Sequence, residues 1–141
     1  MATEAREDNA LAALRQRFDE SPYAKLIGAR VVELSPGYAK VQLRVSTRFT
    51  NFAGLTHGGL VMSLADHAFG CALNTLDRVY VAVQFNIHLL GAAPAGALLL
   101  AEGRVVHAGR TAGVGEMSVR DGEGRLVALA TGTVVALDRE A

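Results

Sequence analysis

Apolar residues recur along this chain with two different periods. Between residues 3 and 19, Ala5, Leu11, Ala12, Leu14 and Phe18 form a narrow stripe among charged neighbours such as Arg15, the spacing of a surface helix. Glu20-Ser21-Pro22-Tyr23 breaks it, because Pro22 disfavours helical geometry at Ser21. Residues 26–46 read as two strands joined at Ser35-Pro36-Gly37. In the second, Ala39, Val41, Leu43 and Val45 alternate with Lys40, Gln42, Arg44 and Ser46, so one face is buried and the other wet. A far more apolar helix is predicted over residues 57–74. Four runs follow, at 79–90, 98–108, 111–121 and 125–138, separated by glycine-containing turns, and they predict a meander of long antiparallel strands.

This order is helix, two strands, helix, four strands. One greasy helix followed by many strands implies a sheet curled around it, an α+β layout. Residues 1–20 form an N-terminal helical extension and residues 21–141 the main domain. An open six-stranded sheet leaves edges that need protection, and pairing two copies edge to edge supplies it, so a homo-oligomer is expected.

Composition removes several classes of function. Of 141 residues, half are hydrophobic, and 14 basic residues balance 14 acidic ones. That balance gives no electrostatic case for nucleic acid or an anionic membrane surface. A single cysteine, Cys71, excludes an intrachain disulfide and any multi-cysteine metal site. The histidines at 57, 67, 88 and 107 lack metal-ligand spacing, so no metal is expected. The first residues are charged throughout, unlike a signal peptide, and no run is apolar enough to span a bilayer. A cytoplasmic protein is expected.

The central helix carries the chemistry. At about 100° per residue, Leu60, Val61, Leu64, Ala65, Ala68, Phe69 and Ala72 share one broad core face. Met62, Ser63, Asp66, His67, Gly70 and Asn74 lie opposite. Asp66 falls at the border, beside Met62, Phe69, Gly70 and Leu73. It reads either as a solvated residue on the back of the helix or as a partly desolvated carboxylate for acid/base or nucleophilic work. His57-Gly58-Gly59 opens the helix, where bare N–H groups at the positive end of the dipole polarise a carbonyl; the plainer reading is a glycine turn. Nine helical residues separate His57 from Asp66, roughly 13 Å and half a revolution. The two cannot converge on one atom within a chain, so a shared site requires a second chain.

Asn51, five residues, His57-Gly58-Gly59, then Ser63-Leu64-Ala65-Asp66 and Asn74, together resemble the hot-dog-fold thioesterases, in particular their phenylacetate-degradation (PaaI-like) branch. The likeness covers roughly residues 22–138 and includes Gly109-Arg110-Thr111 and Ala130-Thr131-Gly132-Thr133. It implies a curved six-stranded antiparallel sheet wrapped around one helix. It also implies hydrolysis of acyl-coenzyme A at sites between two subunits of a homodimer, itself half of a dimer of dimers. Acyl-CoA is then the substrate, and no separate cofactor is needed. In that family's terms Asp66 is general base or nucleophile, the Gly58 N–H holds the thioester oxygen, His57 positions the loop, and Asn51 orients water or carboxylate. Gly59, His67 and Asn74 would line the substrate site, and Arg110 and Thr111 would meet the coenzyme A phosphates; Arg48 and Arg104 are weaker candidates.

The chain also departs from that pattern. Gly70 stands where some relatives carry a hydroxyl one turn after the carboxylate. Val81-Ala82-Val83-Gln84 offers no hydroxyl to hold water, and the residue after Asp66 is the bulky His67. His67 reads as pocket lining or as a wet helix residue, and Arg110 as a phosphate ligand or a solvated turn. The expected reaction is therefore hydrolysis of an aryl-acetyl or medium-chain acyl-CoA. A non-catalytic acyl-CoA-binding protein and a hot-dog dehydratase are the alternatives.

Overall fold

The computed structural model describes residues 1–137. The sequence pattern carries the last strand to Asp138 and the domain to residue 141, ends that lie outside the described residues. Two helices, α1 (Ala2–Glu20) and α2 (Pro22–Ile27), precede β1 (Arg30–Ser35) and β2 (Tyr38–Arg44). A short 3₁₀ turn (Thr47–Phe49) leads to α3 (Gly58–Leu73), followed by β3 (Tyr80–Leu89), β4 (Leu98–Ala108), β5 (Ala112–Asp121) and β6 (Leu126–Ala136).

All six strands join one antiparallel sheet in the order β1-β2-β4-β5-β6-β3. The four-strand meander read from the sequence is corrected here. Only β4, β5 and β6 form one, while β3 crosses to the far edge and pairs with β6. The chain reaches that edge by running α3 across the sheet between β2 and β3, which leaves β4 to pair with β2.

Pro22 has a second role that the pattern concealed. It ends α1 and also opens α2 at the helix's first position, where its missing N–H does no harm. Gly28, at φ 80°, terminates α2 in the left-handed region. The strand thus begins at Arg30 rather than within the 26–29 run.

Every one of the seven predicted core residues of α3 is buried, and Cys71 and Leu73 join them. The helix lies in the concave face of the sheet and packs against all six strands. It sits close because the strands beneath it lack side chains where it crosses. A Cβ built on Gly103 of β4 would lie 2.6 Å from the Ala68 carbonyl oxygen. Gly115 and Gly132 are directly opposed between β5 and β6, and a Cβ on either would strike the Phe69 ring at 2.7 Å or 2.5 Å. Phe69 fills that gap and meets Phe85 of β3 at 6.5 Å between ring centres.

The two sheet edges differ. At β1, Arg15 and Asp19 of α1 take up the carbonyl and N–H of Val31, at 2.8 and 2.7 Å. This satisfies the edge locally and fastens α1, none of whose residues is fully buried. Among the described residues the β3 edge has no such cover. It is ten residues long, exposes Val81, Val83 and Leu89, and carries neither lysine nor proline.

Replacing Gly103 by alanine should cost about 2 kcal/mol of unfolding free energy, the scale of overpacking against groups that cannot yield. Gly122→Ala, where the nearest atom to the new methyl is Leu98 Cβ at 3.7 Å, is the control. Equal urea midpoints for the two variants would show that α3 is not seated by glycine contact.

Candidate active site

The loop before α3 is held by its own polar groups. Thr56 is buried, and both its hydroxyl and its N–H donate to the Ala93 carbonyl, at 2.7 and 2.9 Å. Asn51 Oδ1 accepts from the N–H groups of Ala53 (2.9 Å) and Leu55 (3.1 Å), while the Asn51 N–H donates to the Leu55 carbonyl at 2.7 Å. The loop is thereby closed on itself around Asn51. Its Nδ2 makes no hydrogen bond among the described residues. Asn51 therefore shapes the loop with its oxygen and keeps its amide donors for another group.

His57 is fixed twice. Its N–H donates to the Phe49 carbonyl at 3.0 Å, and its Nδ1 caps α3 by accepting from Gly59 N–H at 2.8 Å. An Nδ1 that accepts puts the proton of a neutral imidazole on Nε2, so this ring presents a donor away from the helix. The Leu60 N–H returns to the His57 carbonyl at 2.9 Å. Of the first three N–H groups of α3, two are thus satisfied, and only that of Gly58 has no partner among the described residues. Gly58 and Gly59 are therefore not equivalent. Gly58 offers its N–H, while Gly59 commits its own to the cap. The Gly58 backbone is also approached closely, since a Cβ there would lie 2.8 Å from Leu89 Cδ1.

Asp66 lies two and a half turns further along, on the open side of α3 near the exposed Met62. Its carboxyl reaches solvent on the single chain. Desolvation by the surrounding apolar groups still raises it above the usual carboxylate range, and the charge of His67 opposes that shift. His67 turns away from this face. It is half-buried, with Nε2 3.7 Å from Cys71 Sγ, and burial lowers its pKa against the opposing charges of Asp19 and Asp66. Burial, with Asp19 assisting, pushes the Cys71 thiol up to about 12, so it is no nucleophile at neutral pH.

Asn74 caps the other end of α3. Its Nδ2 donates to the Gly70 carbonyl at 2.8 Å, and its Oδ1 accepts from Tyr80 N–H at 3.2 Å. The amide is committed to joining α3 to β3. Arg110 and Thr111 sit in the β4–β5 turn beside Tyr80, whose hydroxyl donates to Gly109 O at 3.2 Å. Arg78 Nη1 donates to the Arg110 carbonyl at 2.8 Å. This turn lies at the C-terminal end of the 16-residue α3, about 24 Å from Gly58. One chain thus brings Asn51, His57 and Gly58 together, and holds Asp66 and Arg110 apart from them.

Sequence reasoning missed one contact near the start of α3. The Tyr23 hydroxyl of α2 shares a 2.7 Å hydrogen bond with Ser63 Oγ, which donates to the Gly59 carbonyl at 2.9 Å. Tyr23 stood in a segment read only as a helix break, so nothing marked it. Among the described residues no cluster of three or more His, Cys, Asp or Glu side chains is placed to hold a metal, and no helix is long and apolar enough to cross a membrane.

The chain belongs to the thioesterase superfamily, whose family model matches residues 53–128. It is a thioester hydrolase of the hot-dog fold. The acyl-coenzyme A thioesterase PaaI of Escherichia coli is 31% identical over 115 residues, 82% of each chain. The solved structure of E. coli PaaI, from the phenylacetic acid degradation operon, superposes with a TM-score of 0.85 at 29% identity, covering 89% of this chain and 91% of that one. A mutant of the phenylacetic acid degradation protein PaaI from Thermus thermophilus is 35% identical, with a TM-score of 0.80 over 83% of this chain and all of that one. A Streptococcus mutans protein solved with acetyl CoA bound is 30% identical, with a TM-score of 0.75 over 79% of this chain and 90% of that one.

A carboxyl whose pKa is raised by folding binds its proton more tightly in the native state. Its contribution to stability is present at low pH and lost as pH rises through the folded pKa. Asp66→Asn should therefore raise the thermal midpoint at pH 7 and bring no gain at pH 3. A midpoint that drops at pH 7 would show that the native state favours the ionised carboxylate.

Proposed function

We propose that the protein hydrolyses acyl-CoA thioesters, with an aryl-acetyl or medium-chain acyl group, at sites that each combine two chains. The observation that carries this reading is the lone unpaired Gly58 N–H at the start of α3, between the His57 cap and Leu89. A thioester carbonyl oxygen placed there meets a fixed donor at the positive end of a helix, and the donor strengthens as the oxygen becomes an oxyanion. Asn51 Nδ2 adds a second donor from the same loop.

Asp66 supplies the base or the nucleophile. As base it takes a proton from water, whose oxygen attacks the carbonyl carbon. The tetrahedral oxyanion rests on Gly58, the C–S bond breaks, and the thiolate leaves with the proton from Asp66. As nucleophile, the carboxylate attacks first and the C–S bond breaks to expel the CoA thiolate, which takes up a proton; water then hydrolyses the mixed anhydride to the free acid and the Asp66 carboxylate. Both routes place the oxyanion at the same N–H.

The uncovered β3 edge supports a two-chain site. Pairing β3 with its twin about a two-fold axis runs the strands antiparallel. The Leu89 end of one strand then lies beside the Tyr80 end of the other. That arrangement brings the second chain's Arg110-Thr111 turn toward the first chain's Gly58, where an arginine suits the coenzyme A phosphates. The acetyl CoA bound to the S. mutans relative supports such a ligand. The reading is of a cytoplasmic dimer of dimers.

Thiol release from an acyl-CoA panel tests the assignment. Asp66→Asn should lower turnover by about a thousandfold, the scale of losing a catalytic base or nucleophile. Unchanged release in that variant would remove Asp66 from the chemistry. A shared site makes a further demand. Mixed dimers of Asp66→Asn and Gly58→Pro chains should regain part of the activity that each homodimer lacks, since one of the two sites keeps both intact residues. Verified mixed dimers with no recovery would place each site within one chain.

A further inference from the structure

Arg15 and Asp19 lie four residues apart, on one face of α1. Asp19 Oδ1 accepts from the Val31 N–H at 2.7 Å, and Arg15 Nη2 donates to the Val31 carbonyl at 2.8 Å. In an antiparallel ladder a residue of the next strand offers the same two things, one acceptor and one donor. The two side chains therefore stand where a neighbouring strand would otherwise pair. The register of β1 on β2 also shifts between Val31 and Glu33, beside the same residue.

We propose that the β1 edge is a second, latent pairing surface for another copy of this chain, and that α1 keeps it shut through Arg15 and Asp19. First, the cover is slight. Among the described residues no other side chain bonds the β1 backbone. Leu11, Leu14 and Phe18 are half-buried, and no residue of α1 is fully buried. The first half of α1 stands off across a cleft of about 410 Å³, whose far side is Pro36, Thr75, Leu76 and Asp77. A helix takes most of its stability from packing, and this one has little.

Second, the strand beneath is complementary to itself. Arg30 and Glu33 are exposed and bracket Val31 and Val32. Two copies of this stretch laid antiparallel about a two-fold axis bring each Arg30 opposite a Glu33 and each Val31 opposite a Val32. Opposite-charge and β-branched pairs of this kind stabilise a ladder. Third, β1 itself carries neither proline nor lysine to discourage a partner, so the protection lies in α1. One consequence rests on the β3 pairing proposed above. A dimer joined through β3 keeps a β1 edge at each end, and pairing there too links dimers in an open row. The clamp confines assembly to β3.

The test follows mass against concentration by sedimentation. The wild type should keep one mass. Arg15→Ala combined with Asp19→Ala should add larger species that grow with concentration. Adding Glu33→Lys to that variant, which sets like charges opposite each other, should reduce those species at least tenfold, and adding Arg30→Glu as well should restore them. A mass unchanged in the double variant, or larger species indifferent to Glu33→Lys, would overturn the inference. A ladder of masses supports pairing at both edges, whereas a single doubling supports the β1 surface and counts against the β3 dimer. Hydrogen exchange reads the gate without any substitution. In the wild type the Val31 amide should exchange with the α1 amides near Arg15, at least tenfold faster than that of Val41, because helix and edge open together. Protection of Val31 equal to that of Val41 would overturn the gate.

Discussion

The seat of α3 on the sheet is the contact on which the rest depends. The backbone of β4 touches the backbone of α3 at Gly103 and Ala68, and Phe69 occupies the gap left by the facing Gly115 and Gly132. A side chain at any of these three glycines would push the helix outward. Interiors are packed too densely to absorb such a shift locally. The displacement would be felt at both helix ends, where the Ala93 carbonyl holds Thr56 and the Tyr80 backbone holds Asn74. The helix start is thus placed by packing well away from it, and the Gly58 N–H inherits that precision.

Division of labour within His57-Gly58-Gly59 follows from the same end of the helix. Four N–H groups at a helix start lack partners within the helix. If all were left open, a ligand would meet several loosely oriented donors. Here, counting from His57, the Phe49 carbonyl takes the first, the His57 ring the third and the His57 carbonyl the fourth. What remains is one donor on a backbone pinned on both sides. Glycine at 58 also leaves room for the tip of Leu89, whose Cδ1 lies 2.8 Å from where a Cβ would stand. The two glycines look alike in the sequence and differ in role.

Much of this was legible in the amino-acid pattern, where local physics decides. The core face of α3 follows from angular spacing alone, and all seven predicted residues are buried. The alternation of β2 is likewise observed, with Ala39, Val41 and Leu43 inward. The position of β3 was not legible, because alternation tells which way a side chain points and not which strand lies alongside. Asn74 and Tyr23 illustrate the same limit in the site. Each is defined by hydrogen bonds to residues on another element, Tyr80 for one and Ser63 for the other. Spacing along the chain contains no trace of them. His67 turns to Cys71 and feels the charge of Asp19, contacts that its helix position did not reveal.

In the proposed hydrolysis, the placement of Asp66 ties the fold to the chemistry. A base in hydrolysis works best when its pKa approaches the working pH, and an exposed carboxylate falls well short of that. Apolar surroundings correct this by destabilising the charged form, which is the direction the structure shows for Asp66. The single chain leaves that carboxyl partly open to solvent. In the proposed two-chain site, a second chain laid along the β3 edge, where Val83 and Leu89 are exposed, would cover Asp66 as well. Association would then bring Gly58 and Asp66 of different chains within reach, and would desolvate Asp66 further. In that proposed site neither effect is available to a chain alone. The cost is a charged group made less stable by folding, tolerable because the glycine-seated core beneath it carries the stability.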